Sequence, residues 1–119
     1  MSLVPATWTE VHNPTATNVA TVTRAAPAST RRLIATHITV SMAAITATTA
    51  IVHAYLRDGA TGAGTILWSA VLSAPTSGGM VISEPVEIPG SPGTAMTLEF
   101  DAGGSATSIQ SVALQGRTE

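Results

Sequence analysis

The feature that most constrains the fold is the stretch 51–72, IVHAYLRDGATGAGTILWSAVL, in which two alternating runs flank a loop of Gly, Ala and Thr. In the first run Val52, Ala54 and Leu56 fall on one face, with Ile51, His53, Tyr55 and Arg57 on the other. In the second, Ile66, Trp68, Ala70 and Leu72 share a face. Period-two alternation is the pattern of a strand buried on one side. Asp58-Gly59 is a turn dipeptide, and Gly62 and Gly64 can take φ > 0 without a Cβ penalty. The stretch therefore reads as a β-hairpin with a long loop. It carries Tyr55 and Trp68 in a chain with two Trp, one Tyr and one Phe, so the core is expected to be built on it, with Val52, Leu56, Ile66, Trp68, Leu98 and Phe100 inside.

The remaining chain supplies further strands. Residues 32–41 (RLIATHITVS) put Ile34, Thr36, Ile38 and Val40 on one face. Residues 42–50 (MAAITATTA) mix helix and strand formers and read best as a connection between strands. Pro85 and Pro89 bracket Val86-Glu87-Ile88, an edge or irregular strand, because Pro cannot donate to a ladder. Met96, Leu98 and Phe100 point inward against Thr97, Glu99 and Asp101, and Gln110, Val112 and Leu114 oppose Ile109, Ser111 and Ala113. Seven or eight short strands between Gly/Pro turns predict an all-β sandwich of jelly-roll type. Residues 1–31, interrupted by Pro5, Pro14 and Pro27, read as an extended N-terminal arm with one short strand near 17–23, and residues 32–119 as the sandwich domain. Trp8 in that arm either folds back on its own domain or anchors in a neighbouring subunit.

Composition narrows the function. Charged residues make up 10% of 119 residues, against roughly 25% in an average soluble domain, while Ala and Thr together supply about a third. A small domain so poor in charge either exposes Thr and Ser or covers its surface with a partner, which points to an oligomer or a docked subunit. Net charge is −2, there is no Lys, and among five Arg only Arg31 and Arg32 are adjacent. Phosphate recognition needs several converging cations, so no nucleic-acid partner is expected. Without Cys there is no disulfide, thiolate nucleophile or Cys-based metal site. The N-terminus shows no basic region followed by an apolar one, and the apolar run near 43–52 is too short and too rich in Thr to span a membrane.

No constellation of residues carries catalysis. His12, His37 and His53 lack metal-site or dyad spacing and read as isolated histidines, the latter two on sheet faces. Glu99 and Asp101 stand about 7 Å apart on one strand face, a separation compatible with an inverting glycosidase, yet a solvated polar face gives the same pattern. The Gly-rich loop 59–64 lacks the Lys and following helix of a phosphate loop. No enzyme activity, cofactor or metal is expected.

The segments LRDGATGAGTILWSAVLSAP and IPGSPGTAMTLEFDAGGSATSIQSVALQG resemble a recurring kind of small structural protein encoded by tailed bacteriophages. The matching motifs are a strand ending in an LRDG turn (56–59), a G-x-G-x-x-L-W strand (62–68), an I-P-G-S-x-G return (88–100) and a final S-V-x-L-x-G strand (111–116). The resemblance spans roughly residues 32–118, and Arg117 stands where an aromatic follows the last Gly in such proteins. It implies a virion β-sandwich, assembled in the host cytoplasm and placed on the capsid surface or tail. The leading expectation is a capsid decoration or cement subunit that forms a homotrimer and stabilises the head by binding the major capsid protein or another virion protein. The alternative is a tail or head-fibre component with a carbohydrate- or receptor-binding role. Trp8, Arg31 and Arg32 are the expected assembly contacts.

Overall fold

A computed structural model describes residues 6–15, 18–44, 51–73, 79–102 and 108–119. Eight strands run in the order β1 (Ala6–His12), β2 (Thr21–Arg24), β3 (Leu33–Ala44), β4 (Ile51–Asp58), β5 (Thr65–Ser73), β6 (Gly79–Pro89), β7 (Met96–Phe100) and β8 (Ser108–Thr118). They form two four-stranded sheets, ordered β1-β8-β3-β6 and β2-β7-β4-β5. Every pairing is antiparallel. The pairs β1·β8, β2·β7, β3·β6 and β4·β5 are nested, so the chain is one long double strand, folded back at the 59–64 turn and rolled into two layers. This is the jelly-roll expected of the sequence. Among the described residues no helix is long and apolar enough to cross a membrane.

The central hairpin β4–β5 pairs as expected, with Leu56 opposite Trp68 and Val52 opposite Leu72. Gly64 makes its turn possible. At φ +84° an added Cβ would stand 2.3 Å from the Asp58 carbonyl oxygen, a clash that only glycine avoids. Asp58 itself anchors a distant loop, accepting bonds from the Ser91 amide (3.0 Å) and hydroxyl (2.5 Å).

Val52, Ala54, Leu56 and Leu72 meet Ile38, Val40, Met42, Val112 and Leu114 across the two layers, with Leu98 and Phe100 filling the centre. Full burial of each Leu, Ile, Val or Phe contributes roughly 1.5–3 kcal/mol, so this interior is the main source of stability. Gln110 is buried on the same inner face and satisfied. Its Oε1 accepts the Ala20 amide at 3.0 Å and its Nε2 donates to the Ala102 carbonyl at 2.6 Å.

Two bulges change the expected faces. In β3 the register jumps between Ala35 and His37 against both neighbours. Against β8 Thr36 is the extra residue, while against β6 it stands opposite both Val86 and Glu87, so the inward set is Leu33 and Ala35, then Ile38, Val40 and Met42. Ile34, expected beside Ile38, lies on the outer face, where it pairs with Arg117 and Pro89. A second shift between Leu56 and Arg57 skips Leu67 of β5 and turns Ile66 outward, leaving it 47% exposed. Ile66 is thus not a core residue, and Trp68 is a partly buried one. An inserted residue inverts the two-residue period beyond it.

Residues 6–12 and 21–24 are strands of the sandwich and do not stand off it as an arm. β1 pairs with β8 and β2 with β7, so the N-terminal stretch supplies one edge strand to each sheet. Between these edges a polar seam closes the sandwich: Arg24 Nη1 donates to Glu10 Oε1 at 3.1 Å, and His12 Nδ1 accepts the Thr21 amide at 3.1 Å. On the opposite side β6 is an edge strand, as its prolines require, and Trp68 Nε1 reaches across from β5 to Glu84 Oε1 at 2.6 Å. Residues 42–44, expected to belong to a connection, continue β3, and the rest of that stretch, 45–50, lies outside the described residues.

Candidate functional site

The two outer faces of the sandwich differ in chemistry. On the β2-β7-β4-β5 sheet, β4 projects His53, Tyr55 and Arg57 outward, beside Thr97, Glu99 and Asp101. The His53 and Tyr55 rings stack at 5.9 Å between centroids, 5° from parallel, and the Arg57 guanidinium lies 5.0 Å from the Tyr55 ring centre. His53 and Arg57 flank Tyr55 at i−2 and i+2, so both faces of the phenol ring are occupied.

Glu99 is the polar anchor of this face. Its side chain is 7% exposed, and Oε1 accepts Arg57 Nε at 2.8 Å and the Gly62 amide at 2.8 Å. Thr97, fully buried, donates to the Gly59 carbonyl at 2.8 Å and bonds Thr23 at 2.9 Å. The hairpin loop 59–64 therefore folds down over β7 and buries side chains on the sheet's outer side, which is why every residue of β7 is buried. A shallow cleft of about 380 Å³ remains between Thr61-Gly62 and Val19-Thr21, with Arg57, Glu99 and Asp101 along it. Asp101 is engaged too, accepting the His53 amide at 2.9 Å and facing its Nδ1 at 3.4 Å. Of the two carboxylates expected on a solvated face, Glu99 is buried against Arg57 and Asp101 is exposed beside His53.

The outer face of the β1-β8-β3-β6 sheet is neutral. Paired rows run Val11–Ala113–Thr39–Ser83 and Ser111–Ser41–Val81, with Ile109 beside Ala43 and Gly79 beyond them. Val11, Val81 and Ile109 are exposed by 54%, 66% and 45%. His37 sits at the border of this patch, its Nε2 2.8 Å from Ser83 Oγ, which is also 3.0 Å from Thr39 Oγ1. Among the described residues, charge returns only past His37, where Arg117 crosses over Ile34 to pair with Glu87 and also bonds Glu119 at 2.5 Å. The hydrogen bond from Arg117 holds the Glu87 carboxyl below its ordinary value, and the same contacts raise the guanidinium.

The structure separates the three expected assembly contacts. Trp8 faces inward, 7% exposed, in the core cluster and over Gly116. It cannot anchor in a neighbour without leaving its own domain, and its Arg24 contact, 5.3 Å from the ring centre, is internal. Arg31 is exposed at one end of the sandwich beside a 500 Å³ hollow, with Nη2 3.2 Å from the Thr118 carbonyl. Arg32 is exposed as well, and its backbone exchanges two hydrogen bonds with Glu119, prolonging the β3·β8 ladder. Glu99 stood out in the sequence only as a neighbour of Asp101, and nothing paired it with Arg57, because the loop that buries them closes on the sheet only in three dimensions. Among the described residues no group of three or more His, Cys, Asp or Glu could hold a metal ion.

No protein-family model and no curated protein matches the chain. Among solved structures, one described as "CBM4 structure and function" is similar over 85% of this chain and 61% of its own, with 10% identity and a TM-score of 0.48.

Proposed function

We propose that this chain is a structural virion protein of a tailed bacteriophage, a decoration or cement subunit that docks on the capsid and reinforces it. The phage assignment rests on the strand and turn motifs of residues 56–116. The observation that carries the docking role is the neutral outer face of the β1-β8-β3-β6 sheet. From the strand spacing of about 4.8 Å and rise of about 3.3 Å, this patch measures roughly 15 by 20 Å. Its Val, Ile, Ala, Ser and Thr side chains are short and few of them are flexible, so covering them costs little rotamer entropy. Interface cores are depleted in charge in the same way. The trimer implied by the resemblance belongs to this reading, as does attachment to the major capsid protein.

A glycan-binding role is less well supported. Sugars are held by aromatic faces, and here both faces of Tyr55 are taken, Trp8 and Phe100 are buried, and Trp68 is half-buried with its N–H committed to Glu84.

The test is co-sedimentation of the purified protein with stripped capsids over a salt series. Docking by apolar and hydroxyl contact is expected to persist from about 0.1 to 1 M salt, over which the Debye length falls from roughly 10 to 3 Å. Release at moderate salt would replace this reading by one based on ion pairs, with Arg31 and Arg32 the first to substitute. Absence of binding at every salt concentration would reject the decoration role in favour of a tail or fibre.

A further inference from the structure

Among the described residues four strands have an open edge: β1 and β6 in one sheet, β2 and β5 in the other. An open edge presents unpaired N–H and C=O groups, and natural sheets blunt it with Pro, charge, brevity or distortion. Three of these four edges follow that rule. β6 contains Pro85, Pro89, Glu84 and Glu87, β2 is four residues long and ends on Arg24, and β1 carries Glu10, tied to Arg24 across the seam.

β5 is the exception. Its nine residues, TILWSAVLS, include neither Pro nor charge. The skipped Leu67 disturbs only its beginning, and from Trp68 to Ser73 the pairing with β4 is regular. Apolar side chains stand exposed on the outer face of this edge, Val71 at 51% and its diagonal neighbour Ile51 at 64%, with Ile66 at 47% further along.

We propose that the β5 edge pairs antiparallel with β5 of a second copy of this chain, joining the two β2-β7-β4-β5 sheets into one continuous eight-stranded sheet about a two-fold axis. What completes an open edge is another extended backbone. A neutral strand with an outward Val matches β5 without setting like charges across the junction, and β5 itself is such a strand. The edge of β6 would bring prolines and two glutamates instead. The contact is isologous, so it uses up both β5 edges and closes at two copies. It buries the Ile51–Val71 stripe of each copy along with the edge. It goes beyond the capsid-docking role, and it uses the other sheet, so either contact can fail alone.

The test is sedimentation of the full chain at micromolar concentration, with Val71→Lys as the edge variant and Val81→Lys, on the neutral face of the other sheet, as the control. Both positions are exposed, and circular dichroism checks that each variant keeps the fold. The native protein is expected to sediment as an even multiple of 12.0 kDa, six copies where the proposed trimer also forms, with Val71→Lys halving that mass and Val81→Lys leaving the β5 contact intact. Because the chain has no Cys, single substitutions Ser69→Cys, Val71→Cys and Ser73→Cys provide a second readout. Under oxidation at least one should give a covalent dimer in high yield, the residue nearest the axis. A native monomer, an odd assembly whose mass Val71→Lys does not change, or failure of all three cysteines to cross-link would overturn the proposal.

Discussion

The indole of Trp8 lies directly over Gly116, its register partner in the β1·β8 ladder, so closely that a Cβ on Gly116 would stand 2.4 Å from Cζ2 of the ring and 2.4 Å from the Ile34 carbonyl oxygen. The glycine is therefore the seat of the tryptophan, and the pair fixes the first strand to the last. Gly116→Ala is expected to destabilise the fold by about 1–3 kcal/mol through overpacking, and Trp8→Ala by about 3 kcal/mol or more through the space it vacates. Urea unfolding followed by circular dichroism measures both. Deletion of residues 1–14 should likewise lower the unfolding midpoint, because it strips an edge strand from the sheet.

The Arg57–Glu99 pair predicts an asymmetric response. Arg57→Met leaves a buried carboxylate with only the Gly62 amide and a 3.5 Å contact to Thr21. Loss of one member of a buried pair costs about 3–5 kcal/mol, and with Arg57 18% exposed the lower end is expected. The double variant Arg57→Met with Glu99→Leu should recover much of the loss. Strict additivity in a double-mutant cycle would show that the two side chains do not interact.

Glu87 predicts a pH dependence. Its carboxyl is held below the ordinary value of 4.5 by the Arg117 hydrogen bond, so folding favours the charged form. The stabilisation is present above the unfolded value and is lost as the pH falls through the lowered folded value. Arg117 stays charged throughout. The stability difference between the native protein and Glu87→Gln should therefore be small and positive near neutrality and vanish in acid. A difference that grows on acidification would contradict the assignment.

The neutral sheet face predicts selective loss of docking. Val81→Glu or Thr39→Lys places a charge in the middle of the proposed contact, on exposed or half-exposed positions outside the core. Each should leave the unfolding midpoint nearly unchanged, within about 0.5 kcal/mol, while reducing capsid co-sedimentation at least tenfold. An equal effect from Thr23→Lys, on the opposite sheet, would show that the loss is not specific to this face.

Local alternation made much of this legible. Val52, Leu56, Leu98, Phe100, Val112 and Leu114 all point inward as their spacing requires, and the prolines of β6 put it at an edge. Ile34 and Ile66 did not follow their spacing, because one extra residue at Thr36 and another at Leu67 invert the period, and neither Thr nor Leu marks a bulge as Gly would. Trp8 was open to two readings that differ only in which surface the strand pairs with. Glu99 and Thr97 show the limit most clearly. Both are outward residues of an alternating strand, and they are buried because a loop 37 to 38 residues earlier closes over them, a contact no local pattern encodes.

The nesting of the strand pairs also bears on how the chain reaches this state. Brought together from an open coil, β1 and β8 would close a loop nearly as long as the chain, and such distant pairings slow folding. If the hairpin at Gly59–Gly64 forms first, each successive pair, β3 with β6, β2 with β7 and β1 with β8, closes only the short connectors between adjacent rungs. The sandwich then assembles as a zipper pulled from its middle, and the Asp58–Gly64 turn controls its rate although it lies farthest along the chain from the Trp8–Gly116 clasp that completes it.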